Sequence, residues 1–401
     1  MRDLFRKVKT IDEEIYELNM LNRQSRGTLT EVHIADIHFG SIDPRTTYNI
    51  LKEQCLNKIK NIHFDIFSID GDLFDHKFMS NSDVIMYAVM FIDELVNICK
   101  SKNATLILIH GTAYHDAAQL KLFYKYLQDP CIDIRIVEEV KFEYVKGAKI
   151  LCIPELYNMG ADYYRQFLFG EGSYDSVFMH GVIKGAIYEA KNQESGIHSD
   201  KAPTFTMEDF RLCRGPILSG HVHTAGCYNT YFYYCGSPLR YKFGEEQEKG
   251  FLVVLHNLDT HEHYTHLEPI KSFRYDTVNL DDLLLLDPKH VIEYVSKLQS
   301  EGIEYVRVEF KDIVSEQQKA NLDIIKKYYK ANNRVKIKAE NNKLKQVLQE
   351  SKELSDEFEG YEYILDKSLS EFEILTMYIN QQKGYEYLTV DELKNILMEE
   401  I

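Results

Sequence analysis

Short apolar runs of strand character recur along the chain from Thr28 onward. Val32–Ala35, Asp65–Ile69, Thr105–Ile109, Ile132–Val137, Lys149–Ile153, Ser176–Met179, Pro216–Leu218, Tyr231–Cys235 and Phe251–Leu255 are rich in Ile, Val, Phe and Tyr. These side chains suit a pleated, buried surface. Between the early runs lie stretches of helix length, such as Pro44–Ile62 and Asn81–Lys100. Strands alternating with helices predict an α/β domain. Residues 1–28 read as an amphipathic or loosely docked extension. After about residue 270 the pattern changes. Tyr305–Phe310 reads as a strand, Glu316–Ala331 as a basic helix and Arg334–Ala339 as a strand, which predicts a small α+β unit. Beyond Asn341 the chain is helical and polar. Ser368-Leu-Ser-Glu371 and Thr389-Val-Asp-Glu392 both fit the capping box, in which a hydroxyl and a carboxylate satisfy free amides of a first turn. Leu369, Phe372, Leu375 and Ile379 would then line one face, with Leu393, Ile396 and Leu397 on the next helix and Gly384 as a stop between them. A terminal helical hairpin with an apolar face is expected.

Composition sets wider bounds. With 401 residues, 44% of them hydrophobic and 27% charged, the chain can build a real core and two or three domains. No apolar run approaches the roughly 20 residues of a bilayer span. The start, MRDLFRKVKTIDEEIYELNM, lacks an apolar signal-peptide core, so no membrane association is expected. The seven cysteines are scattered and form no C-x-x-C pair, which points away from a disulfide framework or thiolate zinc site. A reducing cytoplasm is the expected location.

The net charge of −16 taken alone argues against nucleic acid as a partner. Its distribution changes that reading. Residues 346–401 hold 4 Lys/Arg against 14 Asp/Glu, while Lys319 to Lys345 holds 9 Lys/Arg against 2 Asp/Glu. A basic segment is thus masked by an acidic tail. Such a run is usually a solvated helix face. A phosphate-backbone contact is the alternative and needs support from elsewhere in the chain.

That support comes from Asp and His residues at the ends of the expected strands. Asp36-Ile-His38 follows the first, and Gly71-Asp72-Leu-Phe-Asp75 the second. His110-Gly-Thr-Ala-Tyr-His-Asp116 follows the third, and His180-Gly181 and Gly220-His221-Val-His223 follow later ones. Loops at the carboxyl ends of strands converge on one edge of an α/β sheet, where ligands bind. Carboxylate and imidazole donors without thiolate suit Mn, Fe or Zn. Two such ions about 3.5–4 Å apart can clamp a phosphate and activate water. A lone Asp-x-His is mostly chance, and His33, His63 and His198 are assigned to structural roles. The order and strand-end placement of the whole set make coincidence a poor explanation.

In this series the chain resembles the calcineurin-like metallophosphoesterases over roughly residues 30–256. The segment Tyr234-Cys-Gly-Ser-Pro-Leu-Arg-Tyr-Lys-Phe-Gly-Glu-Glu246, followed by Lys249-Gly-Phe-Leu, is similar to the SbcD-type branch, the nuclease subunits of DNA double-strand-break repair and recombination. The third motif looks most like the bacteriophage versions, for which the location would be the host cytoplasm. The resemblance implies an α/β fold, a two-sheet sandwich flanked by helices, with a small α+β cap and a C-terminal helical tail. The implied boundaries are an extension over 1–28, the nuclease domain over 29–270, a capping DNA-contact domain over 271–345 and a tail over 346–401.

The same resemblance implies two divalent metal ions, manganese first among iron, zinc and magnesium. Asp36, His38 and His223 would hold the first, Asp72 would bridge, and His180 and His221 would hold the second. His115 would act on the leaving oxygen, and Asp116 and Asp75 would orient imidazoles, with ordinary loop hydrogen bonding as the alternative for both. In the cap, Lys326, Lys327, Lys330, Arg334, Lys336 and Lys338 would meet DNA phosphates. Residues 368–401 would grip the coiled coil of an SbcC-type ATPase, with self-packing as the alternative. A homodimer is also implied, through helices near Asp83–Val96 or Ala118–Leu127.

One position departs from the family. An Asn that ligates the second metal precedes the catalytic His there, and here the residue is Tyr114. A phenol, with an ordinary pKa of about 10, is a poor ligand. Thr112 or a water would fill the place, or the second metal would bind weakly, or the chain is an altered variant. The expected function is a metal-dependent exo- or endonuclease subunit. The alternatives are a phosphoesterase for a non-DNA substrate and a DNA-binding scaffold with weakened catalysis.

Overall fold

Alternation along the first strand sets the layering. On β1 (Thr28–Ile34), Val32 and Ile34 face one apolar cluster, while Leu29 and the following Ala35 face another. A strand presents successive residues to opposite faces, so both sides of β1 are covered. The structure, a computed structural model, describes residues 27–184, 203–280, 287–311, 316–340, 369–381, 389–392 and 394. Residues 1–26 of the expected extension, 341–345 of the expected cap, and 346–368, 382–388, 393 and 395–401 of the expected tail, among them Gly384, Leu393, Ile396 and Leu397, lie outside the described residues.

After β1 come α1 (Pro44–Leu51), β2 (Ile66–Asp70), α2 (Asp83–Lys102), β3 (Thr105–Ile109) and β4 (Asp133–Val137). Asp43 caps α1 by accepting from Thr46 N at 2.9 Å, and Pro44 opens the first turn without losing a hydrogen bond. Beyond Leu51 the helix widens into a π turn over Lys52–Leu56 and ends at Asn57–Ile59, short of the expected Ile62. Leu51, Cys55, Leu56 and Ile59 stay buried through that widening. Ser82 caps α2, and Asn103, with φ 53°, ends it in the left-handed conformation.

The second half of the sandwich is built from β5 (Lys141–Val145), β6 (Ala148–Ile153), α3 (Ala161–Gly170), β7 (Ser176–His180), the short pair β8 (Val182–Ile183) and β9 (Thr204–Phe205), β10 (Ile217–Gly220), β11 (Gly226–Cys227) and β12 (Phe232–Tyr234). The chain then returns through β13 (Gly250–Asn257) and β14 (His263–Pro269). One six-stranded sheet has the order β14-β13-β1-β2-β3-β4, and the other β11-β12-β10-β7-β6-β5. β1 to β4 run parallel, as do β6, β7, β10 and β12, and the remaining edge pairings are antiparallel.

Three apolar clusters order the layers. Val32, Phe67 and Leu106 meet Leu51, Phe91 and Leu95 of the first helices. Ile66, Ile107 and Leu252 of one sheet meet Ile150, Phe178 and Leu218 of the other. Leu151, Val177 and Ile217 meet Tyr164 and Leu168 of α3. The fold is therefore α/β, with two mixed sheets face to face and helices outside each.

The chain divides into two compact units, residues 1–277 with 297–307, and residues 278–296 with 308–401. Following β15 (Tyr275–Leu280) are α4 (Pro288–Ser300), β16 (Tyr305–Lys311), α5 (Glu316–Tyr328) and β17 (Val335–Glu340), with the strands in the order β15-β16-β17. Lys326, Lys327, Lys330 and Arg334 are exposed at the end of α5 and just beyond it. Lys336 and Lys338 are exposed on β17, alternating with the more covered Val335 and Ile337. Helix α6 (Glu371–Gln381) follows a capping box, but not the expected one. Ser370 N donates to Glu373 Oε2 at 2.7 Å and Glu373 N to Ser370 Oγ at 3.3 Å, two residues later than Ser368 and Glu371. Thr389 and Glu392 form their box as expected, at 2.8 and 3.3 Å. Among the described residues no helix is long and apolar enough to cross a membrane.

The layer between the sheets is not wholly apolar. His33 Nδ1 lies 2.8 Å from Asp70 Oδ2 and its Nε2 3.4 Å from Glu31 Oε2, all fully buried. Burial opposes the charge of Glu31, yet His256 and His33 outweigh it and hold the carboxyl down to about 2. Burial also opposes a charged His33, and Asp70 with Glu31 nevertheless raises it to about 9. The depressed Glu31 contributes stability above its ordinary value of 4.5, and that contribution is lost as pH falls toward 2. The raised His33 contributes stability below 6.5, lost as pH rises through 9. Both are complete only between about pH 4.5 and 6.5. Urea denaturation across pH should show the wild-type advantage over Glu31→Gln shrinking below pH 4.5. An advantage that stays constant down to pH 2 would contradict the pairing.

Candidate metal centre

Strands from both sheets end at a common set of loops. β1 runs into Asp36 and His38, β2 into Asp72 and Asp75, and β3 into the loop of Thr112 and His115. β6 runs into Glu155. His180 closes β7 and pairs with Gly220 of β10, which places His221 and His223 alongside. Backbone hydrogen bonds lock these loops together. Asp36 N donates to Gly71 O at 3.1 Å, His38 N to Asp72 O at 3.0 Å, and Glu155 N to His110 O at 3.3 Å.

Four of these residues hold a backbone that L side chains avoid: Asp36 at φ 52°, His38 at 47°, Asp72 at 51° and His221 at 82°. Such conformations cost about 1–3 kcal/mol each and persist only where the surroundings impose them. Close approach adds a further demand. A Cβ on Gly71, at φ +89°, would lie 2.2 Å from His180 Nδ1, and one on Gly111 would lie 2.2 Å from Asp72 Oδ1.

The side chains form overlapping groups that could hold metal ions: Asp36 with His38 and His223, Asp36 with Asp72 and His180, His38 with Asp72 and His115, and Glu155 with His180 and His221. Within each group the donor atoms lie within 4.8 Å of one another. All six expected ligands, Asp36, His38, Asp72, His180, His221 and His223, are among them. The Nε2 atoms of His38 and His223 face each other at 3.0 Å. Adjacent donors about 3 Å apart are what a cation with bonds of about 2.0–2.2 Å requires. Asp72 Oδ2 lies 3.3 Å from His180 Nε2 and 3.8 Å from His38 Nε2, so it stands between two groups.

The imidazoles are aimed from behind. His180 Nδ1 donates to the Asp70 carbonyl at 2.8 Å, which turns Nε2 toward Asp72. His223 Nδ1 donates to Glu245 Oε1 at 3.1 Å. Glu245 Oε2 accepts from Tyr241 N at 2.9 Å and lies 3.3 Å from the buried Lys249 Nζ. Lys249 in turn donates to the His223 carbonyl and to Ser237 Oγ, both at 2.8 Å. His115 Nδ1 donates to the Asp75 carbonyl.

Crowded charge pushes the groups apart in acidity. Burial drives the Asp36 carboxyl up, with His180 and His223 opposing and Asp72 reinforcing. Burial acts on Asp72 in the same sense, but His180 and His38 overcome it and hold that carboxyl well below the usual range. Burial pushes His38 well below its ordinary value. Burial also disfavours charge on His180, yet Asp72, Asp36 and Glu155 raise it well above. The donor set fits divalent cations on its own terms: buried carboxylates and imidazoles face one another, and His38 Nδ1 and both Glu155 oxygens are buried without a hydrogen-bond partner.

The other expected residues are placed as follows. Asp75 Oδ1 lies 3.8 Å from His38 Nδ1, and its Oδ2 lies 2.9 Å from His76 Nδ1. Asp116 differs from the expectation that it orients an imidazole. Its oxygens accept from Gly111 N at 2.7 Å and Phe74 N at 3.2 Å, so it ties two loops together through their backbones. Burial and the charge of Asp72 push it up to about 6. Tyr114 is 71% exposed. Thr112 instead reaches inward, donating from N to Asp72 Oδ1 at 2.6 Å and from Oγ1 to Asp72 Oδ2 at 3.2 Å. His33 belongs to a separate group with Asp70 and Cys235 between the sheets, where Asp70 already accepts from His33 and from Cys235 Sγ at 3.3 Å. His63 is half exposed near Asp65, and His198 lies outside the described residues.

Sequence reasoning missed Glu155, Glu245 and Lys249. Glu155 had a signal, since it is an acid just past a strand end like the others. Glu245 and Lys249 lie in the segment that marks the SbcD-type resemblance, but nothing in their spacing announces a role behind His223.

No family model and no curated protein matches the sequence. Among solved structures the chain is similar to a point mutant of a cold-active protein tyrosine phosphatase, at 13% identity over 59% of this chain and 80% of that one, with a TM-score of 0.28. A second structure of a cold-active protein tyrosine phosphatase matches at 12% identity over 59% and 78%, also with a TM-score of 0.28. Likeness at that level carries nothing into the reading of the site.

Two outcomes follow from this geometry. Manganese at 100 times its Kd should stabilise the protein by about 2.7 kcal/mol, seen as a rise in Tm that EDTA reverses. Gly71→Ala should destabilise the metal-free protein by about 1–3 kcal/mol and weaken manganese binding about 10–100-fold by displacing His180. Calorimetric titration that finds the variant unchanged would contradict the close packing.

Proposed function

We propose that this protein is an SbcD-type, metal-dependent DNA nuclease subunit of calcineurin-like architecture, hydrolysing phosphodiester bonds during recombination, repair or end processing. The observation that carries the proposal is the meeting of Asp36, His38, Asp72, His180, His221 and His223 at one sheet edge, in the motif order that the sequence presents. Asp36, His38 and His223 would hold one divalent cation, and His180 and His221 another, with Asp72 between them. Manganese is the first candidate. Such cations, when bound, supply Lewis acidity to a phosphoryl group and ease deprotonation of water.

The chain's own residues do the rest. His115 stands edge-on to His38, with ring centroids 4.7 Å apart, beside the same group as Asp72. With Nδ1 committed to the Asp75 carbonyl, its Nε2 is the atom that gives a proton to the leaving oxygen. Glu245 and Lys249 fix the orientation of His223. In the second unit the exposed Lys326, Lys327, Lys330, Arg334, Lys336 and Lys338 serve as phosphate contacts, and their binding should weaken with salt irrespective of sequence. Residues 368–401 form the grip for an SbcC-type coiled-coil ATPase. A homodimer has an apolar surface to draw on in Met86 and Met90 of α2, both exposed.

The test uses the full chain with manganese and linear duplex DNA, alone and with its ATPase partner. Nucleotides or nicks are expected. His115→Ala should lower kcat about 10²–10⁴-fold while manganese affinity holds. Turnover of p-nitrophenyl phosphate well above that of DNA would move the assignment to a phosphomonoesterase. DNA binding without any cleavage would make the chain a scaffold.

A further inference from the structure

We infer that Glu155 is a direct ligand of the second cation, standing in for the amide that the sequence lacks at Tyr114. The inference rests on the two-cation reading above and specifies one of its ligands. Tyr114 points its ring into solvent, 71% exposed. Thr112 directs its N–H and hydroxyl to the two oxygens of Asp72, and its Oγ1 lies 3.5 Å from His180 Nε2, bringing a neutral oxygen but no charge. A different side chain reaches the place beside His180 and His221, from the sheet that carries those two.

Glu155 follows β6 and is 1% exposed. Its backbone N donates to His110 O at 3.3 Å, which pins it against the very loop that carries Thr112 and Tyr114. Its Oε2 lies 2.8 Å from His221 Nδ1 and 3.8 Å from His180 Nε2. Neither oxygen meets a donor in good hydrogen-bond alignment, although burial is outweighed by the nearby His221 and His180, which hold the carboxyl below its ordinary value. A carboxylate buried this deeply is unfavourable unless a cation or donor meets it. The 2.8 Å approach to His221 lacks hydrogen-bond alignment but has the spacing of two donors on one ion. With Asp36 and the shared Asp72, Glu155 would bring three carboxylates to a centre of two divalent ions, leaving one positive charge over. A neutral amide in the same place would leave two. The substitution thus hardens the second position toward oxygen-seeking ions such as Mn.

The alternative is that Glu155 only orients His221. Glu155→Gln separates the two roles, because an amide oxygen can still accept from the ring but carries no charge. Manganese titration of the full chain without DNA, by calorimetry and by electron paramagnetic resonance of free Mn, should find two ions per wild-type chain. Glu155→Gln should keep the first and weaken the second by more than the roughly 100-fold expected of a purely orienting partner. Tyr114→Ala should bind both as wild type does. Wild-type binding of both ions by Glu155→Gln would overturn the inference and leave the two-cation reading standing. A wild type that binds no manganese would overturn both. If the Gln variant does not fold, Glu155→Asp, which keeps the charge on a shorter arm, gives the same reading. A weaker second ion supports the assignment, and an unchanged one overturns it.

Discussion

The Asp72 carboxylate is the contact around which the site is arranged. It receives the backbone and hydroxyl of Thr112, which joins the loop after β2 to the loop after β3. It also faces His180 from the second sheet and His38 from the first. A single buried group therefore couples both halves of the sandwich. Asp36 and Glu155 crowd the same edge, and like charges at close range cannot all be carried equally. The divergence of Asp36 upward and Asp72 downward is the electrostatic record of that crowding.

The scaffold behind the site is more polar than its layered plan suggests. The Asp70 side chain meets His33 in the space between the sheets, while its carbonyl accepts from His180 at the sheet edge. The interior Glu31–His33–Asp70 chain is thereby continuous with a candidate ligand. On the opposite flank, Lys249 is buried and bonds the His223 carbonyl, while Glu245 holds the ring. His180 and His223 are thus each set by a polar contact that the core shelters, which keeps their donor atoms aimed without relying on loop rigidity alone.

The sequence carried much of this. The parallel strands at the centre of each sheet are continuous Ile, Val and Leu runs because both of their faces are covered, and those were legible. β5 and β14 were not. They are edge strands with alternating polar residues, Lys141-Phe-Glu-Tyr-Val145 and His263-Tyr-Thr-His-Leu267, whose apolar content is too thin to stand out. The six expected ligands could be read from their order and strand-end placement. Glu155 had only its strand-end place as a signal, because a lone Glu has no partner within its own motif and gains meaning only when β6 and β10 lie in one sheet. The shifted cap at Ser370 has a similar cause: two overlapping Ser-x-x-Glu frames exist, and only the backbone selects one.

The left-handed residues have a broader implication. At Asp36, His38, Asp72 and His221, glycine would relax the main chain but offer no donor atom. The best residue for folding and the best residue for binding differ at each of these four places. A chain chosen only for thermal endurance would surrender them first, so their joint presence records a selective demand that folding by itself does not impose.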